Sequence, residues 1–289
     1  MKEPFFTGAC TALVTPFLGE SINYPMVEVL LKRQIDAGIR TVVLSGTTGE
    51  SPALSDCEKL ELFRRAKQYV GSDCKIIAGT GSNSTVHSVR LSQLAQESGV
   101  DGLLVVSPYY NKGTVDGLEQ HYHLIANAVS IPIIVYNVPS RTGQDIPVEV
   151  YKRLSRMPGI VGVKEAGTDL TKITKTRNAC GTGFSIWSGN DDLTVPVMSL
   201  GGRGVISVTS NVYPVEVSEM TQAALAGDFD TASELQCQLQ VLNELLFAQV
   251  NPVPVKAAMK YIGFDCGSCR LPLGCMNSDV KKRMETFFA

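Results

Sequence analysis

Eight short apolar runs alternate with longer amphipathic ones, the runs recur roughly every 20 to 34 residues, and the pattern stops near Pro214. These observations predict an α/β chain, a (β/α)8 TIM barrel with a C-terminal helical extension. An open doubly wound sheet more often has five or six strands and a phosphate loop after the first. No G-x-G-x-x-G follows a strand here.

In chain order the expected strands are Ala9 to Val14, Thr41 to Leu44, Lys75 to Ala78, Gly102 to Val106, Pro132 to Tyr136, Ile160 to Val163, Phe184 to Trp187 and Gly204 to Ser207. Between them, apolar residues recur at three- and four-residue intervals over Met26 to Ala37, Ser55 to Val70, Thr85 to Ser98, Asp116 to Val129 and Asp169 to Ala179, the spacing of helices. Ser55 followed by Asp56, Cys57 and Glu58 reads as a capping box, and Asp169 as a helix entry. Beyond the strands, Phe229 to Ala248 and Val253 to Tyr261 read as helices. The division expected is a catalytic barrel over residues 1–224 and an extension over residues 225–289. No Ser/Gly-rich linker separates them, so the extension should pack on the barrel or on a neighbouring subunit.

Composition narrows the function. The 289 residues are 44% hydrophobic and 19% charged, with a net charge of -2 and no long basic run, which disfavours a nucleic-acid partner. The strongly apolar stretches run about eight residues, against roughly 20 for a membrane span. Neither a secretory signal nor a transit peptide is evident in MKEPFFTGAC, so a cytoplasmic location is expected. Eight scattered cysteines in a chain of this size read as free thiols. Cys266, Cys269 and Cys275 have metal-like spacing, but no fourth ligand is evident nearby, and no metal is assigned. His87 stands alone, and His121 and His123, two apart on a helix, point to different faces.

In a barrel of this kind the loops at the C-terminal strand ends build the site. Those loops are GTTGES (46–51), SPYYN (107–111), YNVPSRTG (136–143), VGVKEA with Lys164, SGNDD (188–192) and GVISVTSN (204–211), all on one rim. Lys164 interrupts an apolar stretch and is expected to close a barrel strand. Desolvation there disfavours the ammonium and favours a neutral amine able to attack a ketone. Lys172 and Lys175, by comparison, are read as lying on a polar helix face. Tyr109, Tyr110, Tyr136, Thr47 and Thr48 offer hydroxyls for a proton relay, and Arg141 offers a bidentate clamp for a carboxylate. The Thr-Thr-Gly turn can also present backbone N–H groups to an anion.

Taken in this order and spacing, these segments closely resemble the dihydrodipicolinate synthase family, within the pyruvate-dependent class I aldolases that include N-acetylneuraminate lyase. The resemblance covers about residues 1 to 265 and extends to NPVPVKAAM (251–259). It implies a lysine- and diaminopimelate-pathway enzyme that condenses pyruvate with L-aspartate 4-semialdehyde to 4-hydroxy-tetrahydrodipicolinate. By the same resemblance Lys164 forms the imine with pyruvate, and Thr47 and Thr48 hold the pyruvate carboxylate. Tyr136 carries protons. Tyr110 completes a Thr47–Tyr136–Tyr110 relay from a partner subunit, and Arg141 receives the semialdehyde carboxylate. Gly189 and Ile206 supply backbone groups. No cofactor is implied beyond the imine on Lys164, and a homotetramer built as a dimer of dimers is the family expectation.

The rival readings are a class I aldolase for a sugar acid, of the N-acetylneuraminate lyase or 2-keto-3-deoxygluconate aldolase type, a metal-dependent pyruvate aldolase, and a non-catalytic binding protein on this scaffold. GTTGES and Arg141 favour the synthase, because a second carboxylate needs an anchor where a polyol needs neutral partners. Retention of Lys164, Tyr136 and Arg141 together argues against a binding protein. Asn83 and Tyr109 match the regulatory pattern of lysine-inhibited members. Asp56, Lys59 and His87 stand where enterobacterial relatives have His, His and Glu, and Pro52 replaces a small residue. Weak or absent lysine feedback is expected, since Lys59 repels a cationic ligand.

Overall fold

A computed structural model describes residues 3–289; residues 1 and 2 of the expected barrel segment lie outside the described residues. Eight parallel strands close into one barrel: β1 (Gly8–Ala12), β4 (Thr41–Leu44), β5 (Lys75–Gly79), β6 (Gly102–Val106), β7 (Ile133–Asn137), β8 (Ile160–Glu165), β9 (Ser185–Ser188) and β10 (Gly204–Ser207), with β1 paired to both β10 and β4. The expected fold class is the one observed. A small antiparallel hairpin, β2 (Phe17–Leu18) and β3 (Ser21–Ile22), sits outside the barrel and escaped the pattern because each arm has two residues.

Two strand ends move for identifiable reasons. β1 stops at Ala12 rather than Val14, because the Val14 N–H is taken at 3.1 Å by the Asn211 side chain instead of a strand. β8 runs two residues past Val163, since Lys164 and Glu165 still pair with Tyr136 and Asn137 of β7 and with Trp187 and Ser188 of β9. Lys164 is therefore inside its strand, fixed from both sides.

The helices α1 (Tyr24–Asp36), α2 (Asp56–Val70), α3 (Thr85–Glu97), α4 (Val115–Ala128) and α7 (Leu170–Cys180) match the periodic stretches to within a few residues. Their starts are capped as read: Ser55 and Glu58 form a reciprocal capping box, and the Asp169 carboxylate accepts from the Thr171 N–H at 2.8 Å. Three shorter helices were not anticipated: α5 (Pro139–Thr142), α6 (Val148–Leu154) and α8 (Thr194–Ser199). They are too short to show a period, and α8 carries Pro196 in its first turn, where no intrahelical donor is lost.

Inside the barrel, Phe6, Cys10, Val43, Ile77, Ile134 and Trp187 fill the space below the C-terminal mouth. Trp187 is fully buried, stacks on Phe6 with ring centres 4.6 Å apart, and donates from Nε1 to the Phe6 carbonyl at 3.2 Å. Gly162 makes room for it, since a Cβ there would strike the Ser185 carbonyl and come within 2.8 Å of the indole. The floor of the barrel is thus filled by side chains.

After the last barrel strand comes α9 (Pro214–Ala226), and the extension beyond it consists of α10 (Phe229–Phe247), α11 (Val253–Tyr261) and α12 (Ser278–Phe288). α9 and α10 lay apolar residues such as Val217, Met220 and Leu239 against Ala9, Ile39 and Val205 of the barrel. Tyr261 stacks on Phe288 at 5.5 Å and ties α12 to α11. Among the described residues, no helix is long and apolar enough to cross a membrane.

Candidate active site

The GTTGES loop leaves β4 through two non-glycine residues in the left-handed region, Ser45 with φ 53° and Glu50 with φ 57°. Between them the turn is tight, with Glu50 N–H donating to the Thr47 carbonyl at 3.1 Å and Ser51 N–H to the Gly46 carbonyl at 3.2 Å. A side chain at Gly49 would sit 3.0 Å from the Ser45 nitrogen and 3.2 Å from the Leu13 carbonyl oxygen, so the backbone would have to give way to admit one. Thr47 faces a cavity, while Thr48 is buried behind it and accepts from Asn251 Nδ2 at 3.0 Å.

That cavity, of about 630 Å³, is lined by Thr47, Tyr136, Arg141, Tyr109, Asn83 and Lys59, among others. Lys164 lies beside it, with Nζ 4.4 Å from the centre of the Tyr136 ring. Lys164 is buried, yet among the described residues no carboxylate is in salt-bridge contact with it. The buried Lys256 and Lys172, in contrast, pair with Glu50 and with Glu165. Arg141 is held over the site from the extension side, with Nη2 3.3 Å from the Asn251 carbonyl.

Not every candidate converges on this cavity. Tyr110 is 91% exposed with φ 71° and does not line the chain's own cavity. The Gly189 N–H donates to the Glu165 carbonyl at 2.7 Å, which leaves its carbonyl as the backbone group available to a substrate. Ile206 is fully buried within β10, opposite Cys10. Asn83 accepts through its carbonyl from Asn111 Nδ2 at 2.9 Å, which joins the two loops bearing Asn83 and Tyr109. His87 Nε2 lies 3.1 Å from the Asp56 carboxylate oxygens and Lys59 Nζ 4.0 Å from the nearer one. Burial holds the Lys59 amine below its ordinary range.

Lys172 does not lie on a polar helix face: it is buried, pairs with Asp145, and has Nζ 3.3 Å from Glu165 Oε2. Glu165 also accepts from Asn137 Nδ2 at 2.7 Å, from the Tyr151 hydroxyl at 2.9 Å and from the Gly167 N–H at 2.8 Å, so the residue after Lys164 is anchored by four groups. Asp191 was not singled out either. It is fully buried, accepts from Ser207 Oγ and from the Val208 N–H at 2.9 Å, and burial pushes its carboxyl up. Lys256 carried a visible signal, an isolated lysine in the apolar stretch Val253 to Met259, the same interruption that marks Lys164.

Cys266 is buried, Cys269 half-buried and Cys275 exposed, and all eight cysteines are free thiols. Burial pushes the Cys266 and Cys269 thiols up to about 12, the reverse of the shift a reactive thiolate needs.

A closed barrel presenting a buried amine with no carboxylate partner among the described residues, beside a tyrosine and a Thr-Thr loop at its mouth, defines a lyase of the class I aldolase type. The dihydrodipicolinate synthetase family model matches residues 5–288. A 4-hydroxy-tetrahydrodipicolinate synthase of Thermoanaerobacter sp. (strain X514) is 45% identical over 93% of this chain and 91% of its own. The crystal structure of dihydrodipicolinate synthase from Aquifex aeolicus superposes with a TM-score of 0.95 at 41% identity, over 98% of this chain and 97% of that one. A second synthase structure, from Cyanidioschyzon merolae with lysine bound, has the same TM-score at 37% identity, over 98% and 97%. The chain belongs to the dihydrodipicolinate synthetase family.

Proposed function

We propose that this chain acts as a 4-hydroxy-tetrahydrodipicolinate synthase, condensing pyruvate with L-aspartate 4-semialdehyde in diaminopimelate and lysine biosynthesis. The observation that carries the reading is the buried Lys164 amine, free of any carboxylate partner among the described residues, 4.4 Å from the Tyr136 ring. An amine so placed adds to the pyruvate keto carbon and loses water to give an iminium, which withdraws electrons from the adjacent methyl. Loss of a methyl proton gives an enamine that attacks the aldehyde carbon. The semialdehyde's own amino group then closes on the imine carbon and releases Lys164.

In this reading Thr47 and Thr48 hold the pyruvate carboxylate, Tyr136 moves protons with Thr47, and Arg141 takes the semialdehyde carboxylate. Gly189 and Ile206 are assigned backbone contacts only, since neither lines the cavity. The iminium is itself the electron sink, so the reading assigns no separate cofactor. The near-complete exposure of Tyr110 supports its use in a partner's site, within a homotetramer of two dimers. Catalysis is assigned to residues 1–224 and closure of the rim to residues 225–289.

The test is borohydride reduction in the presence of pyruvate followed by peptide mapping, then turnover with aspartate semialdehyde against sugar-acid substrates. A reduced pyruvyl adduct on Lys164 and turnover of the semialdehyde are expected. An adduct elsewhere, or turnover of sugar acids only, overturns the assignment.

A further inference from the structure

Two side chains of the extension reach the loop that carries Thr47 and Thr48. Asn251 Nδ2 donates to Thr48 Oγ1 at 3.0 Å, and Lys256 Nζ donates to Glu50 Oε1 at 2.7 Å. The second oxygen of Glu50 accepts the Arg270 N–H at 2.8 Å. Asn251, Lys256 and Glu50 are all buried.

We propose that Asn251 and the Lys256–Glu50 ion pair are positioning residues for the pyruvate carboxylate, which makes residues 251–270 of the extension a working part of the active site. The inference rests on the reading of Thr47 and Thr48 as the carboxylate cradle.

A threonine hydroxyl has one hydrogen to give. Thr48 Oγ1 already receives a hydrogen from Asn251, so its own hydrogen is left for an incoming acceptor, which is the polarity a carboxylate requires. The ion pair acts on the loop backbone. Ser45 and Glu50 bracket the turn in the left-handed region, which a residue with a side chain keeps only where its surroundings over-determine it. At Glu50 those surroundings are the Lys256 ammonium and the Arg270 N–H. Lys256 has no latitude of its own. Its Nζ lies 4.3 Å from the Phe17 ring centre, while the Arg270 guanidinium lies 4.4 Å from the same centre. A hydrogen-bonded pair fixes direction as well as contact, whereas apolar packing of the same volume fills the space without aiming the loop.

The test uses the full-length protein and reads pyruvate half-saturation twice, by borohydride trapping on Lys164 and as KM, beside kcat and the melting midpoint. The double variant Glu50→Gln with Lys256→Met removes both charges together and leaves no buried carboxylate uncompensated. It is expected to fold, to raise both pyruvate half-saturation values about tenfold or more, and to change kcat at saturating pyruvate by less than about threefold. Asn251→Ala is expected to shift the same two readouts, and Asn251→Asp to shift them further, because an added acceptor turns the Thr48 hydrogen away from the substrate. Folded variants with wild-type pyruvate half-saturation overturn the inference. So does activity lost only in proportion to unfolded protein, or a double variant that fails to fold, since the pair is then a folding element. Failure of the wild type to trap pyruvate on Lys164 takes the functional reading down as well, which separates the two failures.

Discussion

Tyr136 and Lys164 are register partners on adjacent strands, and the lysine Nζ lies 4.4 Å from the centre of the tyrosine ring. Strand pairing, rather than a flexible loop, sets this approach. The ring packs against the amine whether or not the hydroxyl is present, so packing and proton transfer can be separated by experiment. Tyr136→Phe is expected to retain borohydride trapping of pyruvate on Lys164 while kcat falls about a hundredfold to ten-thousandfold. Unchanged kcat would remove the hydroxyl from proton transfer, and equal loss of trapping and turnover would place its role in imine formation itself.

Tyr110 does not line its own chain's cavity and is 91% exposed at a residue with φ 71°. If it serves a partner, subunit mixing gives a clean readout. Tyr110→Phe and Lys164→Ala are each expected to be nearly inactive alone. Co-refolded in equal amounts, they should recover about a quarter of wild-type activity, since only a site with its own Lys164 and a neighbour's Tyr110 is complete. No recovery, with mixed oligomers demonstrated, removes the shared site.

The rear of the cavity is expected to be a poor host for lysine. The Asp56 carboxylate is already shared between His87 at 3.1 Å and Lys59 at 4.0 Å, and the buried Lys59 adds positive charge where a second cation would sit. Initial rates at saturating substrates should be unchanged by millimolar L-lysine. A submillimolar inhibition constant contradicts this account.

His121 gives a pH dependence of stability. It is buried, with Nδ1 2.9 Å from Thr85 Oγ1 and Nε2 without a partner, and desolvation lowers its pKa to about 4. The unfolded chain, with a histidine near 6.5, binds the extra proton first. Stability from this group is therefore complete above about pH 6.5 and falls as pH drops toward 4, by roughly 3 kcal/mol in all. Urea midpoints of the wild type and His121→Gln, compared from pH 7 to pH 4, should converge as the pH falls. A constant gap between them removes the assignment.

The eight strands were legible because a strand buried on both faces must be apolar throughout, and short runs such as Val42 to Leu44 or Ile133 to Val135 have no other stable use at that spacing. The helices were legible wherever three or more turns displayed a period. Short pieces such as α5 and α8 were not, since one turn has no period to read. The burial of Lys164 within its strand was legible as an isolated charge in an apolar run. Lys172 was misplaced, because the partners that make its burial tolerable, Asp145 and Glu165, are seven or more residues away in the chain and meet it only across strand ends.

From sequence alone come the barrel, the family, and the rim and the lysine to which the chemistry is assigned, because each depends on local pattern or on motifs in fixed order. Tertiary structure alone decides which hydroxyls share a cavity, that Tyr110 faces outward, and that Asn251 and Lys256 of the extension grip the Thr47–Thr48 loop from some 200 positions away. The reason is physical: a desolvated charge or hydroxyl is defined by the partners packed against it, and those are chosen by the closure of the chain rather than by its neighbours in sequence.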